Sequence, residues 1–114
     1  MQITTETVYK NRDNPNQVRF YEDNAAMDFS AVTRVVLDLY NAHNVKLATV
    51  DTSDSPILIT YTTNVITFNL NSLALSAGRY YAKVVVYDSQ HPEGQILAHP
   101  DSRDSQLVFR FTYA

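Results

Sequence analysis

Along much of this 114-residue chain apolar side chains recur at every second position, and that period constrains the fold more than anything else in the sequence. From Thr33 to Tyr40, Val35, Leu37 and Leu39 point to one side, while Arg34, Val36, Asp38 and Tyr40 point to the other. Val65–Leu70 repeats the pattern with Ile66, Phe68 and Leu70, and the last segment repeats it with Leu107, Phe109, Phe111 and Tyr113. A strand sends successive side chains to opposite faces, whereas a helix groups every third or fourth residue. Composition agrees: eight tyrosines and five phenylalanines stand beside many valines and threonines, with only two glycines and no tryptophan. Branched and aromatic side chains pack well on a pleated, half-buried surface.

Between the alternating runs lie turn signals. Asn41-Ala42-His43-Asn44 leads into a strand at Val45–Val50, and Asp51–Pro56 is a polar break before Ile57–Tyr61. Thr62-Thr63-Asn64 is a short turn. His91-Pro92-Glu93-Gly94 suits a type I turn with glycine in the left-handed position, so Tyr80–Asp88 and Gln95–Ala98 are expected to form a hairpin. Ile3–Tyr9 and Gln17–Tyr21 are weaker strand candidates, and Asp23–Ala31 is the only helix-like piece. Seven to nine short strands in one domain spanning residues 1–114 predict an all-β fold, an antiparallel β-sandwich, with an up-and-down barrel as the alternative. The sandwich is favoured by Leu73-x-Leu75-x-x-Gly78-x-Tyr80, which resembles the tyrosine corner of immunoglobulin-like and fibronectin-like domains. On that reading Tyr80 is the corner, with Ala82, Val84 and Val86 pointing inward.

Several kinds of chemistry find little support. A net charge of −3 argues against gripping nucleic acid, which takes clustered Lys and Arg. With no cysteine there is no disulfide, thiolate metal site or thiol nucleophile. The first residues carry neither a basic nor an apolar leader region, and no apolar run approaches the roughly 20 residues of a membrane span, so synthesis in the cytosol is expected. His43, His91 and His99 all fall in turns, and no Gly-x-Ser-x-Gly segment exists for a hydrolytic triad. Asp38 and Asp88 are the acids to consider as a glycosidase pair. Asp88, His91, Glu93, His99, Asp101 and Asp104 form the densest set of ligand-type residues, but loop tips collect such side chains because water solvates them. The expectation is no catalytic residue, no metal and no cofactor.

The outward positions are more informative. If Val84, Val86, Leu37 and Leu39 are core, then Val36, Tyr40, Tyr81, Val85 and Tyr87 face out, joined by Lys83. On neighbouring strands they would make one apolar, aromatic patch, and tyrosine is enriched at protein interfaces. Tyr40, Tyr81 and Tyr87 are also the residues that could stack on a sugar. The polar loop Lys10–Asn16 is a second place that could order against a partner.

The segment from Thr33 to Phe111 resembles small immunoglobulin-like proteins encoded among the virion structural genes of tailed bacteriophages. The residues that carry the resemblance are Val65–Leu70, Leu73-x-Leu75-x-x-Gly78-x-Tyr80, Val84-Val85-Val86-Tyr87-Asp88 and Pro92-x-Gly94. The resemblance implies a non-enzymatic building block: capsid decoration or cement, or a tail, adaptor or baseplate part. It implies partners among other virion proteins, with self-association possible in a lattice, and neither nucleic acid nor membrane. It also implies manufacture in the bacterial host cytoplasm and a final location in the virion. The alternative is a glycan-binding or host-surface attachment module.

Overall fold

A computed structural model describes residues 3–22, 24–101 and 106–113. Among them the chain is all strand and loop: β1 (Ile3–Tyr9), β2 (Asn16–Val18), β3 (Tyr21–Glu22), β4 (Ala25–Ala26), β5 (Arg34–Tyr40), β6 (Lys46–Asp51), β7 (Ile59–Tyr61), β8 (Ile66–Phe68), β9 (Gly78–Tyr87), β10 (Gln95–Ala98) and β11 (Gln106–Thr112). A large sheet runs β1-β11-β9-β5-β6, and a small one runs β2-β8-β7. The ten-residue β9 is the spine of the large sheet. β5 pairs along one of its edges, while β11 and then β10 share the other.

The alternation read from the sequence sets which side of each strand is core. Val35, Leu37 and Leu39 of β5 and Ala82, Val84 and Val86 of β9 are buried together with Leu107, Phe109 and Phe111 of β11. From the small sheet come Val18, Ile59, Ile66 and Phe68. Phe68 meets Phe109 edge-to-face at 5.4 Å between centroids, so the two sheets close on each other as a sandwich. The Tyr80 hydroxyl donates to the Ser76 carbonyl at 2.7 Å, and its ring packs edge-on against Phe111. This is the corner expected at Tyr80. It ties the loop before β9 to the end of the core.

The structure departs from the expected layout at three places. β1 runs parallel to β11, so the large sheet is mixed and not purely antiparallel. A small β3–β4 hairpin, turned at Asn24 (φ 65°), raises the number of strands to eleven among the described residues. The described part of the expected helix, residues 24–31, is extended or turned. Its polar groups bond outward: Met27 N–H to the Phe20 carbonyl, Phe29 N–H to the Thr63 carbonyl, and the Asn64 amide to the Met27 carbonyl. Phe29 is fully buried and meets Phe20 edge-on at 6.3 Å. Tertiary burial of one aromatic overrides a weak local helical preference.

Candidate functional site

The residues singled out as outward all stand on the outer face of the large sheet. Tyr40 and Tyr81 are cross-strand partners, as are Val36 and Val85, while Tyr87 stands opposite Arg34. The register therefore builds rows across the sheet. One row runs Lys46, Tyr40, Tyr81, Val108, Thr5. The next runs Thr49, Asp38, Lys83, and a third runs Asp51, Val36, Val85, Ile96. The apolar positions thus form two groups, divided by the polar Asp38/Lys83 row.

Part of this face is covered by the protein's own turns. Val85 is only 9% exposed and Val108 only 3%, although both point away from the core. The β9–β10 turn lies on the first: Gly94 has φ +92°, and a methyl group there would sit 2.5 Å from Val85 Cγ1 and 2.9 Å from the Tyr87 ring. Only glycine permits that backbone angle and that approach. Tyr81 shares a cleft with Pro100 and Asp101 of the following loop. Val36, Tyr40, Tyr81 and Tyr87 remain half-buried, and Ile96 is 55% exposed at the β10 edge.

The charges at one end are tightly organised. Arg34 forks onto Asp51, with Nη2 at 2.6 Å and Nε at 3.0 Å from Oδ2, and its guanidinium lies 5.0 Å from the Tyr87 ring centroid. Hydrogen bonding from Arg34 holds the Asp51 carboxyl down at about 2 against burial, with help from the Ser53 N–H. In the middle row the Thr49 hydroxyl donates to Asp38 Oδ1 at 2.7 Å.

The other candidates do not come together with this face or with each other. His91 Nδ1 lies 2.9 Å from Asp88 Oδ1, an oxygen that also accepts the N–H groups of Gln90 and His91. The Asp88 carboxyl is held below the usual carboxylate range, first by the His91 ring and then by these N–H groups. His99 and Asp101 form a separate local turn, with the Asp101 N–H donating to His99 Nδ1. Asp104 lies outside the described residues, and among those described no three His, Asp or Glu side chains converge as a metal set would. Asp38 sits beside Lys83, five residues from Asp88, about 17 Å along the strand. A glycosidase pair stands at roughly 5–10 Å. Tyr40 and Tyr87 lie at opposite ends of the β5–β9 pair, about 20 Å apart, and Arg34 lies over the Tyr87 ring. The Lys10–Asn16 loop is tied down: Asn11 N–H donates to Asn71, and the Lys10 ammonium donates to the Leu75 carbonyl.

Two features escaped the sequence reading, and only the first left a signal in it. Val84-Val85-Val86 and Leu107-Val108-Phe109 are unbroken apolar runs, which mark strands covered on both faces. Arg79 and Arg110 also emerge as direct cross-strand partners on this face, which only the pairing of β9 with β11 reveals. No family model matches the chain, and no curated protein or solved structure matches it.

Proposed function

We propose that the protein is a non-enzymatic structural component of a tailed-phage virion, a capsid-decoration, tail, adaptor or baseplate part. It docks through the outer face of its large sheet. The observation that carries the reading is the set of half-buried side chains Val36, Tyr40, Tyr81 and Tyr87 on two paired strands, with the covered Val85 beside Val36 on the same face. Rigid aromatic anchors on a sheet face suit a protein surface, since they offer area with little loss of side-chain freedom. The strand order supports an immunoglobulin-like architecture: β2-β8-β7 faces β11-β9-β5-β6, and Tyr80 closes the corner.

Mass spectrometry of purified particles from the encoding phage tests the proposal. The wild-type chain is expected in them in stoichiometric amount, and the Tyr40→Ala/Tyr81→Ala variant is expected to fold but to be missing. Absence of the wild type, or undiminished incorporation of the variant, overturns the reading. Light scattering on the free protein then separates self-assembly from docking on a lattice supplied by a partner.

A further inference from the structure

Five of the chain's nine basic residues stand at outward positions of the large sheet: Arg34, Lys46, Arg79, Lys83 and Arg110. Only two of its twelve acidic residues, Asp38 and Asp51, do so among the described strands. Arg34 is committed to Asp51, and Lys83 stands opposite Asp38. Arg79 and Arg110 stand opposite each other, both exposed, with Thr7 as the next residue across on β1. Like charges directly opposite on a sheet destabilise it. Glu6, the nearest acid along β1, falls on the alternate, inward-facing set with Val8. No described carboxylate forms an ion pair with either arginine.

We infer that the Arg79/Arg110 pair, with Tyr81 one row above, is the recognition point for an acidic segment of a partner protein. This partner class rests on the docking-face reading above and adds the chemistry of what docks. Guanidinium forks match carboxylates with two parallel hydrogen bonds, and an Asp- or Glu-bearing loop would relieve the repulsion the sheet carries alone. Charge complementarity favours such a segment over nucleic acid. The basic spot is two arginines wide, the chain is acidic overall, and Asp51 and Asp54 close off the far end of the face, so a long phosphate track is not accommodated.

The test titrates the full chain with a short capped oligoglutamate peptide, a Gly/Ser peptide of the same length and a short single-stranded DNA, following backbone amide NMR signals. Oligoglutamate is expected to shift Arg79, Tyr81 and Arg110, less so at high salt, with at least tenfold weaker binding to Arg110→Glu. That variant is also expected to melt about 2–4 °C higher, because it turns a repulsive cross-strand pair into an attractive one. Shifts centred elsewhere, equal binding of the Gly/Ser peptide or of DNA, or a lower melting temperature overturn the inference. So does self-association of the free protein that Arg110→Glu abolishes, since the occupant would then be a second copy. If wild type and Arg79→Glu/Arg110→Glu both enter particles, the inference fails while the virion role stands. If oligoglutamate binds as expected but the wild type is absent from particles, the reverse holds.

Discussion

The sandwich has two outer faces, and they are built on opposite plans. On the small sheet the outward row is Gln17, Thr67 and Thr60, one polar side chain per strand, with Gln17 and Thr60 exposed and Thr67 half-buried between them. On the large sheet the outward rows hold three tyrosines and three valines, and the chain's own turns descend on them at Gly94 and beside Pro100. Both sheets use the same inward alternation, so the difference does not come from the need for a core. A solvated outer row costs a sheet little, whereas a sheltered apolar one ties distant loops to the strand surface. The large sheet therefore carries a second, thin apolar layer, and its stability depends on two faces where the small sheet's depends on one.

The sharpest way to break this contrast is at Gly94. Adding a methyl group there drives it into Val85 and Tyr87 and asks an L-residue to hold φ +92°. Gly94→Ala is expected to cost about 2–3 kcal/mol by denaturant unfolding, through strain and overpacking together. Gly78 is the internal control: it also has positive φ (+149°), but a methyl group there meets open space. Gly78→Ala should cost about 1 kcal/mol, from the backbone alone. Equal costs at the two glycines would mean that the turn does not press on the sheet.

A matched pair of truncations compares the faces directly. Val85→Ala removes two methyl groups from a covered outward position, with an expected loss of about 1–2 kcal/mol. Thr67→Ala, the equivalent cut at the centre of the small sheet's outer row, should change stability by about 0.5 kcal/mol or less. Similar losses from the two would erase the distinction between a sheltered and a solvated face.

Much of the fold was legible because alternation alone assigns the core. The expected inward sets of Thr33–Tyr40 and Val65–Leu70 are buried as read, and Tyr80 occupies its corner. In the last set Leu107, Phe109 and Phe111 are buried, but Tyr113, expected on the same face, lies beyond the end of β11 and is 66% exposed. Position in a pattern does not reveal pairing partners, so the parallel β1–β11 contact was beyond reach, and with it the arginine pair. The extended 24–31 segment departs from a helix because short-range helical preference is weak, while Phe29 packs in the core against Phe20 and its N–H is bonded to the Thr63 carbonyl, far along the chain. The five outward positions do share one face, but the single patch expected of them is two groups divided by the Asp38/Lys83 row. The sheltering of Val85 depends on a turn whose approach only the folded chain defines.

A similarly small effect is expected at the ion pair that borders the sheltered face. Asp51 titrates at about 2 in the folded protein against 3.8 for the free side chain, chiefly because Arg34 hydrogen-bonds its charged form. A carboxyl with a depressed folded value binds protons more readily when the chain is unfolded, so its stabilising contribution is complete above about pH 4. It fades as pH falls from there towards 2. Asp51→Asn should therefore lower stability at neutral pH and converge with the wild type near pH 2. The Arg34 side chain is half exposed, so solvent screens the pair, and the neutral-pH difference is expected to be on the order of 0.5 kcal/mol, shrinking further in molar salt. Unfolding curves of both proteins between pH 2 and 7 measure it. A gap that persists unchanged at pH 2 would assign the effect to the Ser53 turn that Asp51 also caps, and would detach the ion pair from the energetics of this face.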